Sequence, residues 1–551
     1  MGAGMLRTRG SERQGKRLGA GPGALLVQAG SDNVRARMFH SRDPRRRRRV
    51  RGRAAAPRDK PRRAAWPLAA LVTAGALLGA PRSARAVPID DPDIGGIGFS
   101  GPTTGDLAAV YWNPAALGLI HGGQVTFGAT GRLTTTTYAP SAATGLALPG
   151  AKAADFTHPF SWPPGPGAFA GVGADVGGDR FSLAFATYMP FADRSTYQSG
   201  DSPDLSSRYH RISADLRNLA LVPALAVRFA GDLRLGFAPG FLFSTGRLSF
   251  ADTTCGVSGN PPCAQDPVGD ARYDIASGPG FQSARFALTL GGGLYYRTRS
   301  WEFGASFSSR PFAGTGSNPA GISGPDTQVT RPARDGGGPV TCMNGRADGR
   351  GCVYADLSYK LPFTFIAGVA WHPRAGAELS VIARLLSFPA DDVIDIRLTG
   401  SSLAADGLPQ HIVLYRGYGN VLDTRVRYAQ WVGHRLRLGA GLRFENSALA
   451  PGAISPGAVD GEKLEPTAML TLLLWKHVAI AAGYGFTYMF GVATNDSLFD
   501  AGAASACEAT AGDLTPGSSC YKRLNGQARP AAAGTYHSHQ HDFSLSLTMQ
   551  F

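Results

Sequence analysis

The cysteines are the residues whose spacing most directly suggests chemistry. Six cysteines fall as three close pairs, and each pair lies in or at the edge of a long segment without strand character. In an oxidising compartment such pairs typically form local disulfides, so we expect each pair to pin one loop. Other pairings are possible, and metal binding is the weaker alternative because no Cys-x-x-Cys occurs. The pairs are Cys255 with Cys263, Cys342 with Cys352, and Cys507 with Cys520.

Three histidines near the end of the chain form the second group. His537, His539 and His541 are two residues apart, which places them on one face of a strand. Imidazoles at this spacing are able to bind a metal ion, but the polar end of an extracellular strand is the simpler interpretation. The sequence contains no Gly-x-Ser-x-Gly and no phosphate-binding loop. We therefore expect no enzyme, no cofactor and no resident metal ion.

The elements that position these residues have alternating faces. Residues 543–551 are apolar at every odd position, and residues 478–490 carry bulky side chains on one face and mostly glycine or alanine on the other. This period of two indicates strands. A bulky apolar face opposite a small or polar one suits a closed membrane barrel, because an open sheet edge is unsatisfied in hydrocarbon. A soluble β-sandwich is the alternative. We expect Phe551 to close the last strand and to be the signal for the barrel-assembly machinery.

The spacing of these segments predicts an all-β fold, a transmembrane antiparallel β-barrel of about 14 strands. Short turns alternate with long connections. This alternation places the short turns and both termini in the periplasm and the long loops outside the cell. The predicted strands are 124–137, 166–176, 180–191, 207–229, 233–250, 281–297, 300–311, 353–372, 376–399, 411–430, 435–446, 465–475, 478–491 and 536–551.

Basic residues are concentrated at the N-terminus. Residues 1–86 hold 21 of the 55 basic side chains and four of the 40 acidic ones, so 34 basic and 36 acidic residues remain. An apolar run at 64–80 and the small-x-small tripeptide 84–86 are typical of a cleaved secretory signal. We expect residues 1–86 to be a leader that ends in this signal peptide. The segment before the apolar run is longer than a signal peptide needs, and it reflects either a start codon placed too far upstream or a functional basic extension. The excess positive charge therefore indicates no nucleic-acid partner.

Residues 87–121 precede the barrel, which we assign to 122–551, and do not alternate. Thr104 is a suitable N-cap for a short helix over 106–112, and Pro114 should end that helix. A compact, glycine-punctuated and partly helical segment ahead of a barrel suggests a hatch that plugs the lumen.

Several segments resemble one family of bacterial outer-membrane proteins. The stretch 96–101, followed by Asn113-Pro114-Ala115, is similar to the N-terminal hatch of the FadL-type long-chain fatty acid and aromatic-hydrocarbon transporters. Residues 171–197 resemble the second and third strands of that family, and residues 438–451 resemble its late-strand motif. The long leader and the cysteine-containing loops depart from the family. Divergent lumen residues leave the substrate open.

The resemblance implies passive uptake across the outer membrane of a Gram-negative bacterium, for a hydrophobic compound such as a long-chain fatty acid. The ligand would enter among the outside loops, occupy an apolar lumen pocket, and leave sideways into outer-membrane lipid beside the third strand. A partner in protein export or assembly, and a general porin, are the alternative functions. The resemblance assigns hatch or gating roles to Gly98, Ser100, Gly101, Asn113, Pro114 and Ala115, and the lateral opening to Tyr188 and Pro190.

Three of these residues carry specific expectations. We expect Asn113 to hydrogen-bond barrel backbone and Pro114 to fix the turn of the chain, with an ordinary helix-end cap as the alternative role of Asn113. Pro190 is expected to make the third strand irregular, because proline removes a ladder hydrogen bond. A plain strand end is the alternative for Pro190.

Overall fold

The structure is a computed structural model that describes most of the chain beyond residue 92. The leader, all six cysteines and Gly98 lie outside the described residues, so the expectations for them stay predictions. The described residues are 93–97, 100–140, 154–158, 168–178, 180–196, 212–252, 271–278, 284–314, 320–331, 340–341, 353–389, 393–400, 410–455, 458–495 and 533–551.

Nearly all regular structure is β-strand. The helical elements of the described residues are α1 (Ala109–Trp112) and the 3-10 helices η1 (Pro114–Leu119) and η2 (Pro451–Ala453). In chain order the strands are β1 (Gly123–Pro140), β2 (Ala154–His158), β3 (Phe169–Asp175), β4 (Phe181–Thr196), β5 (Ser213–Ala230), β6 (Leu233–Asp252), β7 (Ala271–Ala276), β8 (Arg285–Arg297), β9 (Trp301–Ser308), β10 (Ala313–Gly314), β11 (Ala320–Arg331), β12 (Val340–Thr341), β13 (Val353–Tyr359), β14 (Phe363–Trp371), β15 (Ala377–Ser387), β16 (Val393–Thr399), β17 (His411–Tyr415), β18 (Asn420–Val432), β19 (Leu436–Glu445), β20 (Lys463–Trp475), β21 (Val478–Thr494) and β22 (Gly534–Gln550).

Fourteen of these strands form one closed antiparallel barrel, as predicted. The last strand returns to the first along its whole length, from Gln124 opposite Gln550 to Pro140 opposite Gly534. The two-residue turn between β5 and β6 contains Gly231 at φ 56°, a left-handed conformation that favours glycine. The barrel strands are β1, β3, β4, β5, β6, β8, β9, β14, β15, β18, β19, β20, β21 and β22.

The two faces of the wall differ as the alternation predicts. On β22, Phe543 and Leu545 are 43% and 54% exposed on the outside, whereas Asp542 is 3% exposed on the inside. On β4, Phe185 points outward, and Ala184 and its alternate neighbours are buried against the contents of the lumen. Exposed aromatic and aliphatic side chains recur on the outer face of the other barrel strands. This apolar outer surface is the one a bilayer requires.

Three predicted strands are each two strands in the structure. The predicted 353–372 divides into β13 and β14, 376–399 into β15 and β16, and 411–430 into β17 and β18. Pro362 lies at the first break, where it cannot donate to a ladder, and Gly417 at φ 69° bends the chain at the third. The outer portions leave the barrel and form an extension in which β13 lies between β11 and β16. Alternation persists across the first and third breaks, so the sequence pattern did not reveal them.

The hatch contains less helix than predicted. The α-helix begins at Ala109, not at residue 106, and its N-cap position is Ala108, so the prediction of Thr104 as the cap is wrong. The Asp106 carboxylate instead accepts a hydrogen bond from the Ala108 backbone N–H at 2.9 Å. The helix ends at Trp112, before Pro114, as predicted. Within the described part of the chain, no helix is both long enough and apolar enough to cross a membrane.

Candidate functional site

The hatch is anchored to the barrel wall through Asn113, which is fully buried. Its Nδ2 donates to the carbonyl of Pro102 at 2.8 Å and to the carbonyl of Leu294 on β8 at 2.9 Å. Its Oδ1 accepts from the backbone N–H of Ala115 at 3.1 Å and so caps η1. The side chain therefore makes both the contact with barrel backbone and the helix-end cap that the sequence left as alternatives.

The part of the wall that contacts this anchor consists of glycines, which we call the glycine floor: Gly236, Gly293 and Gly304. A Cβ added at Gly236 on β6 would overlap the backbone between Pro114 and Ala115, and one at Gly293 on β8 would overlap Oδ1 of Asn113. Gly236 and Gly293 are opposite each other in the ladder of β6 and β8. Only a residue without a side chain allows the hatch to approach the barrel backbone so closely. The sequence showed these glycines only as a small inward face.

The next strand continues the same floor. A Cβ at Gly304 on β9 would overlap the carbonyl of Pro102. Ser306, two residues further on the same face, donates its hydroxyl to the carbonyl of Trp112 at 2.6 Å. The residues Pro114 and Ala115, assigned to the hatch from the sequence, are both buried here. The tripeptide Asn113-Pro114-Ala115 therefore lies where the neighbouring strands β6, β8 and β9 face the hatch.

The opposite side of the hatch faces cationic side chains. Arg427 Nη1 on β18 donates to the carbonyl of Ser100 at 2.7 Å, and a Cβ at Gly101 would lie 2.9 Å from Arg427 Nη2. The guanidinium of Arg425 lies 5.1 Å from the ring centre of Trp112, a cation–π distance. The structure therefore places Ser100 and Gly101 against the arginines of β18, and Asn113 against the glycine floor.

A pocket with an empty volume of about 750 Å³, including its opening to solvent, lies between the hatch and the wall. Val110 and Tyr111 of the hatch line one side of it. Its polar groups are hydroxyls and backbone, and no charged side chain lines it among the described residues. The wall side includes Val222, Leu242, Leu361 and Ile366.

The third barrel strand, β4, is irregular where it borders the pocket. Its pairing with β5 shifts register between Tyr188 and Phe191, on either side of Pro190. Tyr188 is buried, and its ring meets that of Tyr111 edge-on at 5.5 Å. All three of these β4 residues line the pocket. The irregularity therefore lies at the position that the sequence indicated.

Among the described residues, both ladders of the short strand β3 end beside this irregularity. The β3 ladder with β4 ends at Phe169 opposite Tyr188, and its ladder with β1 ends at Phe169 opposite Gly128. Further along, β1 pairs with β2 from Thr134 onward.

Enclosure within the barrel raises the pKa of two carboxyl groups of the hatch. Part of the Asp106 surface is exposed, but the residue lies inside the barrel and is surrounded by protein. The resulting desolvation raises the pKa of its carboxyl to about 6. Backbone hydrogen bonds from Ala108 and Ala109 act in the opposite direction. Burial also raises the pKa of Asp93, against the attraction of Arg425.

Two terminal groups lie away from this site. The backbone of Phe551 exchanges hydrogen bonds with Gly123 at 2.8 and 3.2 Å, so the last residue completes the closing ladder. Its ring is 74% exposed, and its role as an assembly signal stays a prediction. His539 and His541 face outward on β22 with ring centres 5.9 Å apart, and His541 Nδ1 lies 2.9 Å from the hydroxyl of Tyr484.

These features define a class of protein, a 14-stranded transmembrane β-barrel whose lumen is closed by an N-terminal hatch. The chain is similar to a Pseudomonas aeruginosa FadL homologue, with a TM-score of 0.61 and 14% identity over 85% of this chain and 100% of that one. It is also similar to the Pseudomonas putida toluene transporter TodX, with a TM-score of 0.55 and 13% identity over 85% of this chain and 99% of that one. The Ralstonia pickettii toluene transporter TbuX gives a TM-score of 0.51 and 12% identity over the same shares.

The predicted fold is therefore confirmed: the chain has the FadL-type fold of outer-membrane β-barrels. No protein-family model matches the chain, and no curated protein matches it. At these identities the likeness concerns the fold, so the function must be argued from the site.

Proposed function

We propose that this protein is an outer-membrane channel for the passive uptake of hydrophobic compounds. The observation that carries the proposal is the pocket without charged lining between the hatch and β4. Such a pocket accepts an apolar solute because it spares that solute from dissolving in water. The names of the similar structures, a FadL homologue and two toluene transporters, support the same class of substrate. Long-chain fatty acids and monoaromatic hydrocarbons are the candidates.

Release from the pocket is proposed to be lateral, into outer-membrane lipid. The register shift at Pro190 supports an exit at this place, because proline cannot donate to the ladder and a missing ladder hydrogen bond lowers the cost of separating the strands. Tyr188 of β4 lines the pocket at this place. A lateral exit keeps the ligand in apolar surroundings throughout.

The hatch is proposed to hold the periplasmic side of the path closed. Asn113 ties it to β8, and Pro114 and Ala115 rest on the glycine floor. On the other side, Arg427 holds Ser100. A hatch fastened on two sides of the lumen disfavours a general porin, which needs an open, polar channel. Barrel-assembly machinery and outer-membrane lipid remain proposed partners.

The test fills the pocket and measures uptake. Val222→Trp places a large ring in the pocket, whereas Leu221→Trp, the preceding residue on the same strand, faces lipid. We expect Val222→Trp to reduce uptake of radiolabelled oleate or toluene by cells, and Leu221→Trp to retain it. Heat-modifiable gel migration checks that both barrels have folded.

A second measurement identifies what the pocket holds. Mass spectrometry of the protein purified in mild detergent should find a hydrophobic molecule that Val222→Trp loses. Equal uptake by both tryptophan variants would contradict the proposal. An empty pocket together with wild-type uptake in Val222→Trp would instead favour a partner in protein export.

A further inference from the structure

Three buried carboxylates meet where the described hatch begins. Asp93 of the hatch, Glu465 of β20 and Asp542 of β22 are each at most 3% exposed. One oxygen from each lies within 4.8 Å of those of the other two. None of the three lines the apolar pocket, so the proposed transport path leaves them without a role. Such close carboxylates repel one another unless a cation or a proton lies among them.

Glu465 supplies the observation that indicates a ligand. Its Oε2 accepts a hydrogen bond from Arg443 Nη1 at 2.8 Å. Its Oε1 is equally buried but has no hydrogen-bond partner. Oε1 lies against Gly485, which is opposite Asp542 in the ladder of β21 and β22. The unsatisfied oxygen is therefore directed toward the carboxylate cluster, and an anionic oxygen in this position is unfavourable unless something binds it.

The other two carboxylates are oriented by groups outside the cluster. Asp542 Oδ1 accepts from Arg132 Nε at 2.9 Å, and its Oδ2 accepts from Gln540 Nε2 at 2.6 Å. Asp93 Oδ1 lies 3.6 Å from Arg425 Nη1. Contacts of this kind hold carboxylate ligands in place around metal ions. They also offset part of the negative charge, so the expected affinity is moderate, with a Kd on the order of 10⁻⁴ to 10⁻³ M.

We propose that Asp93, Glu465 and Asp542 bind a calcium ion that fastens the start of the hatch to β20 and β22. A donor set of oxygen alone suits a hard cation. Calcium binds oxygen at about 2.3–2.6 Å, so ligands on opposite sides of the ion are up to about 5 Å apart. The three oxygens lie within this span of one another, as ligands of one ion must. Magnesium is the less suitable ion for a buried cluster, because it loses its water ligands reluctantly and usually keeps several of them.

The ion would add a fastening independent of the Asn113 anchor. Asp93 is a hatch residue, whereas both other ligands are on barrel strands. Nearby, the backbone N–H of Ile97 donates to Ser544 Oγ on β22 at 3.0 Å. Calcium would therefore hold this end of the hatch against β22 while Asn113 holds the other end against β8. The inference does not depend on which compound the channel carries.

Terbium luminescence tests the site in the whole barrel. Terbium substitutes for calcium and emits when a nearby tryptophan is excited. Trp112 is suitably placed, because its ring lies against Arg425, which also contacts Asp93. We expect a saturable Trp-sensitised signal that calcium displaces. The affinity should fall at least tenfold in Glu465→Gln and stay unchanged in the control Glu378→Gln, whose carboxylate pairs with Arg437 outside the cluster.

A second variant controls for misfolding of the barrel. Asp93→Asn leaves the sequence of every barrel strand unchanged, and its affinity for terbium should fall at least tenfold, as in Glu465→Gln. Calcium at millimolar concentration should raise the thermal midpoint of the wild-type barrel and of Glu378→Gln, but not that of the two ligand variants. The proposal is overturned if the wild type gives no saturable signal, or if Glu465→Gln and Asp93→Asn bind terbium as tightly as the wild type.

Discussion

Replacing Asn113 by alanine removes three hydrogen bonds, to Pro102, Leu294 and Ala115, from a fully buried site. Only the bond to Leu294 joins the hatch to the barrel, because Pro102 and Ala115 are themselves hatch residues. At about 1 kcal/mol net for this bond, the hatch loses about 1 kcal/mol of docking free energy, and the loss of the other two bonds loosens the hatch itself. Every 1.4 kcal/mol is a factor of ten, so the undocked population rises about fivefold. Undocking exposes backbone N–H groups of α1 and η1, and it leaves the pocket open at its hatch side.

Asn113→Asp separates the two roles of this side chain. Aspartate keeps the oxygen that caps η1 at Ala115 but loses the donor to Pro102 and Leu294. If the anchor matters, Asn113→Asp should be at least as damaging as Asn113→Ala. If the cap alone matters, Asn113→Asp should behave as the wild type.

The assay is hydrogen–deuterium exchange of hatch peptides in nanodiscs, combined with uptake in cells. We expect faster exchange over residues 100–120 in both variants, with reduced uptake. Asn446→Ala is the control, because this amide bonds barrel backbone away from the hatch. Wild-type exchange and full uptake by a well-inserted Asn113→Ala barrel would refute the reasoning.

Three further predictions concern the floor, the exit and pH. Gly293→Ala should weaken hatch docking by about 1–3 kcal/mol through overpacking against Asn113. Gly292→Ala should not, because its Cβ would meet only the carbonyl of Gly236, at an ordinary contact distance of 3.9 Å. Faster hatch exchange in the first variant alone is the readout. Pro190→Ala should regularise β4 and lower uptake severalfold, with Pro223→Ala as the control, and undiminished uptake would contradict a lateral exit there. The raised pKa of Asp106 means that the docked hatch favours the protonated acid, so its contribution to stability is full below about pH 4 and is lost as the pH rises through about 6. The thermal midpoint should follow this trend, Asp106→Asn should remove it, and an identical pH profile in that variant would rule the cause out.

Several features of the fold were predictable because they depend on local pattern. Alternation gave the strands and their outward faces, and turn lengths gave fourteen of them. The closing role of Phe551 in the ladder also followed from its position at the end of an alternating segment. The breaks at Pro362 and Gly417 were missed, because alternation continues across them and only the pairing partners change. The Thr104 cap was wrong, because the backbone N–H of Thr104 closes a turn with the carbonyl of Gly101 and the α-helix begins only at Ala109.

The candidate site was only partly predictable. The sequence indicated Asn113, Pro114 and Pro190 through their own chemistry: an amide both donates and accepts, and proline cannot donate. It did not indicate what they contact. The glycine floor at Gly236 and Gly293 consists of residues unremarkable in a glycine-rich chain, and only the ladder register places them opposite each other.

The sequence by itself thus determined the barrel, its strand number and its two faces, because a period of two and the length of a turn are properties of neighbouring residues. Only the tertiary structure decided which groups meet in the lumen. Closure of the barrel brings together positions as distant as Ile97 and Ser544, 447 residues apart. The same closure gathers Asp93, Glu465 and Asp542 from three separate elements. Register and closure act over the whole chain, so no local pattern encodes these encounters.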